Sequence, residues 1–444
     1  MRVKLISPLF SSTDLVTRTE YFVLPRLGLE IVAAHTPAEH EVTIVDETFA
    51  PDDAGDSADL VGITATTHVA LRAYEIADMY RRKGAIAVMG GIHATVIPQE
   101  ALAHADAVVV GEAEGAWARV VRDAEHGRVQ GIYQNDGQID LAEYRALPAR
   151  KYPRRRRPLP FSTGVETSRG CAYGCDFCSV PAVMGNRYRM RVVDEVVREI
   201  SGLSARSIFF LDDALGHDRG HAMELFRALE SMHVRWLGQG MVTLAMDREM
   251  LAAMRRSGCV GLLVGLESVQ EDAAREIAKL RRLDLSIDEA VLRFHDEGIA
   301  IVGSFIFGLD HQTPDIFERT YAFAARVRLD GANPTILIPY PGTRLYDRLA
   351  AEKRLLNPFW WREPYSSTRV LFRPLHMSPD ELLDGWRSFG SRFHSYASIV
   401  HRLFGIAPQK RGLLGTAAVL GYNLSQRRFF QLVPARSNPA GSDR

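Results

Sequence analysis

Three of the four cysteines in this 444-residue chain fall within eight positions, in the stretch Arg169-Gly170-Cys171-Ala172-Tyr173-Gly174-Cys175-Asp176-Phe177-Cys178. Three soft thiolates on one loop can hold three irons of a 4Fe-4S cluster and leave the fourth iron open to an exogenous ligand. A structural zinc site calls for a fourth protein ligand with its own spacing. The remaining thiol, Cys259, lies in Ser257-Gly258-Cys259-Val260-Gly261 and reads as a small buried residue. The loop is therefore expected to carry a cluster with one open site, with a zinc or redox-structural site as the alternative. Four cysteines in such a length do not form the disulfide framework of a secreted scaffold.

The elements around this loop alternate in type. Strand patterns at 165–167, 207–211, 235–240, 261–264, 300–307 and 335–338 are separated by helical patterns, which predicts six βα units in a partial barrel. In that architecture the chemistry sits at the C-terminal ends of the strands. There the sequence places Asp212-Asp213, Glu267-Ser268, Gly303-Ser304 and Pro339-Tyr340-Pro341-Gly342-Thr343. The two aspartates serve equally well as caps for the following helix, and Glu267 as half of a structural ion pair.

Residues 1 to about 130 show five further apolar strand patterns, at 3–6, 42–45, 60–63, 85–89 and 107–110, with helical spacing at 69–82 and 113–125. These predict a doubly wound parallel sheet of the flavodoxin or Rossmann kind, binding at its strand ends. Thr64, Gly90 and Gly91 lie at those ends, where hydroxyls can donate and glycines let a ligand approach. No G-x-G-x-x-G follows the first strand, so an ordinary NAD or FAD site is disfavoured. Asn135-Asp136-Gly137 is a hairpin signal, and Arg154 to Arg157 read as a solvated linker face. The expected division is an N-terminal domain at 1–140, a Pro/Arg-rich linker at 141–160, a barrel at 161–372 and a helical region at 373–444. Ser378, Pro379 and Glu381 form its opening cap, and the tail 434–444 is expected to be disordered.

Composition bounds the function. The 54 basic and 54 acidic residues balance, which removes the footprint of a dedicated nucleic-acid binder. The start is too short in apolar residues for a signal peptide, and no apolar run reaches the ~20 residues that span a bilayer, so a cytoplasmic protein without an integral membrane segment is expected. Residues 413–422, flanked by Lys410, Arg411, Arg427 and Arg428, read as an ordinary closing helix rather than a membrane contact. Trp360, Trp361 and Tyr365 read as packing rather than as a lid over substrate.

With these residues in view, the chain resembles the radical S-adenosylmethionine (SAM) superfamily, whose Cys-x3-Cys-x-aromatic-Cys signature is matched in full, with Phe177 at the aromatic position. The resemblance implies that the open iron chelates the amino and carboxylate groups of SAM, and that one-electron reduction cleaves the sulfonium to a 5′-deoxyadenosyl radical. It implies SAM contacts from Asp213, Glu267, Gly303 and Ser304. The whole chain resembles the subgroup with an N-terminal cobalamin-binding-like domain. Pro25-Arg26-Leu27-Gly28-Leu29-Glu30, the segments 41–47, 88–95 and 110–114, and Trp386, Tyr396 and Ser398-Ile399 carry that likeness.

The wider cobalamin pattern Asp-x-His-x-x-Gly is absent, with Asp46-Glu47-Thr48-Phe49-Ala50 in its place. The lower face of cobalt is then expected to be unligated or water-bound, and His93 to be a loop residue making hydrogen bonds. The activity implied is that of a cobalamin-dependent radical SAM C-methyltransferase, acting on an unactivated carbon of a small-molecule or lipid metabolite and fed by a flavodoxin or ferredoxin. Cyclisation or oxidative rearrangement is the alternative reaction, and a non-catalytic iron-sulfur redox sensor the alternative of another class.

Overall fold

Runs such as Leu60-Val61-Gly62-Ile63 and Ala107-Val108-Val109-Val110 are apolar on both faces, which a strand tolerates when helices cover both sides of its sheet. The computed structural model of the chain describes residues 1–9, 26–48, 57–149, 161, 163–270, 277, 280–403 and 408–433. In it these runs form an N-terminal parallel sheet of β1 (Arg2–Ser7), β2 (Glu41–Asp46), β3 (Leu60–Thr64), β4 (Ile86–Gly90), β5 (Ala107–Val110) and β6 (Gly131–Gln134). The order is β2-β1-β3-β4-β5-β6, so the chain reverses direction across the sheet at β1 and β3. A doubly wound sheet opens its binding crevice at such a switch point.

The sheet has six strands rather than the expected five. β6 pairs in parallel with β5, Ala107 opposite Gly131 and Val110 opposite Gln134. The Asn135-Asp136-Gly137 signal therefore closes no hairpin, because a parallel neighbour is reached by a crossover and needs no tight turn. Gly131-Ile132-Tyr133-Gln134 is short and half exposed, which hid it among loop residues.

The second half follows with β7 (Thr163–Val165), a two-residue antiparallel ribbon of β8 (Ser168–Arg169) and β9 (Arg189–Met190), then β10 (Ser207–Leu215), β11 (Arg235–Met241), β12 (Cys259–Glu267), β13 (Ala300–Phe307) and β14 (Gly331–Ile336). Apart from the ribbon these form one parallel sheet, β7-β10-β11-β12-β13-β14, whose outer strands each pair on one side only. It is a partial barrel. The first and last strands lie earlier than the expected 165–167 and 335–338. Pro334 sits inside β14, and proline lacks the N–H of a ladder, yet an edge strand accommodates it. Trp386, on the helix Pro379–Phe393 that packs against β14, donates its Nε1–H to the Pro334 carbonyl at 2.9 Å.

That helix starts as its sequence dictates. Ser378 Oγ accepts from Glu381 N–H at 3.1 Å, and Glu381 accepts back from Ser378 N–H at 2.7 Å. The arginine run 154–157, the loop 49–53 and the tail 434–444 lie outside the described residues. Among the described residues no helix is long and apolar enough to cross a membrane.

Trp360, Trp361 and Leu371 belong to the second half of the chain but pack into the core beside β3 and β4 of the first. Their burial brings the C-terminal edges of both sheets together. Three histidines are taken out of water in the process or in the helical cap: burial lowers His68 and His93 to about 4 and His394 to about 3. Their folded values lie below the free value, so their stability contribution is complete above about pH 6.5 and is lost as the pH falls toward about 4. Chemical denaturation at stepped pH is expected to show stability falling by about 1.4 kcal/mol per pH unit for each such histidine across that window. His93→Gln is expected to flatten the slope.

Candidate cofactor site between two sheet edges

The cysteine loop leaves β8 at Gly170 and is pinned at several points by backbone. Cys178 N–H donates to the Cys175 carbonyl at 3.1 Å, and Leu345 N–H donates to the Asp176 carbonyl at 3.0 Å. Arg344 Nε bonds Asp176 Oδ1 at 2.8 Å, and its second nitrogen reaches the Gly174 carbonyl. The loop is thus held against the start of the helix Arg344–Ala351. All three thiols are half-buried, while Cys259 is fully buried as the first residue of β12, as a packing role requires.

A single zinc ion holds its sulfur ligands within roughly 4 Å of one another. Among the described residues the ligand atoms of Glu39, His40 and Glu125 form the one trio within 4.8 Å, so the three thiols stand wider apart than one ion would gather them. Burial, then mutual repulsion with Cys175 and Cys171, pushes the Cys178 thiol up to about 12. Such a trio of sulfurs suits a cationic iron cluster large enough to reach all three. Phe177 packs partly against the barrel core.

Asp212 and Asp213 stand within β10, and neither caps the next helix. That cap is Asp218, which accepts from His221 N–H at 2.8 Å. Asp212 is buried and accepts from Thr167 N–H at 3.2 Å, Thr167 Oγ1 at 2.6 Å and Ser168 Oγ. It fixes the turn that launches the cysteine loop. Asp213 accepts from Gly170 N–H at 3.2 Å, beside Cys171, and burial raises its carboxyl. Glu267 ends β12 with φ 61°, a left-handed conformation rare for a residue with a side chain.

Ser304 lies opposite Gly265 on the next strand. Gly303 turns the other way: a Cβ there would fall 2.8 Å from Leu266 Cδ1 and 2.9 Å from Leu329 Cδ2. Its lack of a side chain makes room for Leu266 of β12 and Leu329 before β14 rather than opening space for a ligand.

On the opposite edge, Thr64, Gly90 and Gly91 line a cavity of about 260 Å³. Gly90 fits the expected opening, since a Cβ there would meet nothing nearer than 3.7 Å. Gly91 does not. At φ 89° it packs on the β3 end, where a Cβ would lie 2.7 Å from Thr64 Oγ1 and 2.9 Å from Ala65 N. His93, expected in a loop, is instead fully buried in the helix Gly91–Val96, its Nε2 bonded to Tyr74 Oη at 2.7 Å. The same cavity is walled by Glu166, Arg169 and Leu211 of the second half, so both halves of the chain share it.

The sequence reading missed the ion cluster that joins the halves. Arg169, two residues before Cys171, meets Glu112 and Glu114 at 2.6 Å each and Glu166 at 2.9 Å, and Arg189 meets Glu112 at 2.8 Å. Burial opposes ionisation of Glu112, yet the Arg189 and Arg169 guanidiniums hold its carboxyl below the usual value. Glu166 goes the other way, raised by burial to about 7. A second missed group is aromatic: Tyr340 Oη meets His68 Nε2 at 3.0 Å, with Tyr365 4.3 Å and Trp360 5.7 Å from the His68 ring centre. An arginine next to the cysteine motif and two acids after β5 were the signals available for the first group. For the second, Trp360 and Tyr365 were read as packing, but nothing pointed to His68, which lies 272 residues from Tyr340.

Comparison with known proteins matches the radical SAM superfamily over residues 165–324 and the B12 binding domain over residues 13–121. An uncharacterised methyltransferase of Pyrococcus horikoshii is 31% identical over 398 residues, covering 81% of this chain and 85% of its own. The bacteriochlorophyllide d C-12(1)-methyltransferase of Chlorobaculum tepidum is 27% identical over 411 residues, with 89% and 88% covered. Among solved structures, the radical S-adenosylmethionine methyltransferase TsrM from Kitasatospora setae, with cobalamin and a 4Fe-4S cluster bound, superposes with a TM-score of 0.62 at 18% identity, covering 79% of this chain and 75% of that one. At that identity the likeness establishes the fold.

Removing Arg169 would leave the carboxylates of two domains facing each other in a buried place. Arg169→Ala is expected to cost about 3–5 kcal/mol in denaturant unfolding, and Arg169→Lys to recover part of it, because an ammonium cannot fork between partners. An Arg169→Ala protein as stable as the parent would show that the cluster contributes nothing to joining the halves.

Proposed function

The chain belongs to the radical SAM superfamily and carries a B12 binding domain, and from that premise we propose that it is a cobalamin-dependent radical SAM C-methyltransferase acting on an unactivated carbon of a small-molecule or lipid substrate. The observation that carries the reading is the shared cavity: its walls come from the strand ends of the N-terminal sheet and from the residues that launch the cysteine loop. Cobalamin at those strand ends would supply a transferable methyl group, and a 4Fe-4S cluster with SAM at the neighbouring cysteine loop would supply one-electron cleavage of SAM.

The residues present fit those groups. In this reading Cys171, Cys175 and Cys178 hold three irons, and Asp213, Glu267 and Ser304 offer polar atoms to SAM along the barrel mouth. Thr64 and Gly90 face cobalamin, while Gly91 shapes the backbone beneath Thr64. The division taken is a cobalamin domain at 1–140, a barrel at 161–372 and a helical region at 373–444. His68, held neutral at pH 7 by burial, and Tyr340, Trp360 and Tyr365 seal the interface from water, which a radical reaction requires. An external flavodoxin or ferredoxin supplies electrons.

Residues 10–25 and 49–56 contain no histidine, and among the described residues no histidine lines the strand-end cavity. Bound cob(II)alamin is therefore expected to show no nitrogen splitting from a protein imidazole in its electron paramagnetic resonance spectrum. Anaerobic reconstitution with methyl-labelled SAM, cobalamin and host extract tests the reaction. Labelled methyl in a metabolite, with 5′-deoxyadenosine formed alongside, is the expected result, and an altered but unlabelled metabolite would replace methyl transfer by cyclisation or rearrangement. Each of Cys171→Ala, Cys175→Ala and Cys178→Ala is expected to abolish 5′-deoxyadenosine formation, while Cys259→Ser keeps the iron-sulfur absorbance.

A further inference from the structure

A closing helix turns its apolar side inward and its polar side to water. The helix Pro408–Leu432, expected to do so, buries one apolar side but also leaves leucines on its outward side. Val419, Asn423 and Phe430 face inward and are buried. On the outward side Leu413 is 93% exposed, Leu420 38% and Leu424 41%, with Ala417 also exposed. Steps of four, three and four residues put these on a single stripe, starting just after the break in the helix at Gly412.

The neighbouring helix Tyr396–Leu403 extends the stripe. It exposes Tyr396 at 62% and Val400 at 51%, one turn apart. Arg427 lies over the Tyr396 ring at 3.9 Å, and Arg402 donates to Asn423 Oδ1 at 3.0 Å. These two contacts run the helices antiparallel and set Val400 at the level of Leu424. The result is one apolar surface built on two helices, of the kind that marks an interaction site.

Charge says which partner fits. The chain as a whole is balanced, with 54 basic and 54 acidic residues, yet residues 385–442 hold eight Lys and Arg and not one Asp or Glu. Arg427 and the exposed Arg428 close the C-terminal end of the leucine stripe, and Lys410 and Arg411 precede it in sequence. An apolar strip bordered by cations, on a helix that does not qualify to cross a bilayer, matches a helix lying in the plane of an anionic lipid surface. We propose that the face formed by Tyr396, Val400, Leu413, Leu420 and Leu424, bordered by Arg427 and Arg428, docks on an anionic membrane surface. Leucine side chains enter the acyl boundary while the guanidiniums stay at the headgroups.

The test is co-sedimentation of the purified full chain with vesicles of phosphatidylcholine alone and of phosphatidylcholine mixed with phosphatidylglycerol. Partitioning is expected to be at least about tenfold stronger on the anionic vesicles and to weaken with added salt. Leu420→Gln with Leu424→Gln is expected to lower it by about tenfold or more. Arg428→Glu is expected to remove part of the salt-dependent share. All three substituted side chains are solvent-facing, so unchanged melting is the control for folding. Absence of binding to anionic vesicles, or binding that survives both variants, would overturn the proposal. So would a concentration-dependent dimer that the leucine variant dissolves, which would assign the face to a second copy of the chain. Vesicle binding is read without turnover, so its outcome and that of the methyl-transfer reading are independent.

Discussion

A guanidinium stays charged at any pH a protein meets, so a buried arginine must be surrounded by acceptors wherever the fold places it. Arg169 draws those acceptors from both halves of the chain, Glu112 and Glu114 beyond β5 and Glu166 between β7 and β8. Moving one sheet edge relative to the other would strand a charge in a medium that solvates it poorly. The orientation of the two edges is therefore fixed by a requirement of charge pairing, and the requirement sits two residues from the first cysteine of the loop. Asp212 extends the same constraint into the barrel by gripping Thr167 and Ser168 on either side of the turn that Arg169 continues.

A second set of contacts also joins the halves. His68 meets Tyr340 across the halves, while Glu100 accepts from both Tyr74 and Trp361. The Tyr340 hydroxyl and the Trp361 Nε1–H thus each have a partner in the other half, and Glu100 also pairs with the exposed Arg362. Two parallel sheets that meet edge to edge would otherwise admit solvent between their strand ends, where the backbone groups are least covered. The aromatic layer and the ion cluster thus divide the work, one excluding water and the other setting register.

The architecture was legible because its signal is local. Apolar runs of strand length alternating with helical periodicity are read within a window of a few residues, and the doubly wound sheet and the partial barrel followed from them. The places where the reading failed are those where the deciding interaction was distant. β6 was concealed because an edge strand is half exposed and short, while β14, expected at 335–338, begins earlier at Gly331 and takes in Pro334, which its edge position permits. The cysteine loop announced its chemistry through spacing alone. The capping reading of Asp212 failed for the opposite reason, since its partners lie 44 and 45 residues back on the first barrel strand and ribbon. Gly91 and Gly303 show the same limit: glycine reports that space is tight, and only the neighbours reveal whether a ligand or a side chain fills it.

Glu267 shows how the barrel edge combines these effects. The ladder between β12 and β13 shifts register between Gly265 and Glu267, so that Glu267 comes opposite Phe305 instead of continuing the pairing of Gly265 with Ser304. The irregularity lets the backbone enter the left-handed region at φ 61°, a conformation that glycine would adopt without strain. Keeping a glutamate there costs of order 1 kcal/mol or more of backbone strain, which persists only because the surrounding structure over-determines the conformation. Of the residues with side chains expected at the mouth of the barrel, Glu267 is thus the one the fold holds in the left-handed region, and the register shift beside it is what makes that conformation available.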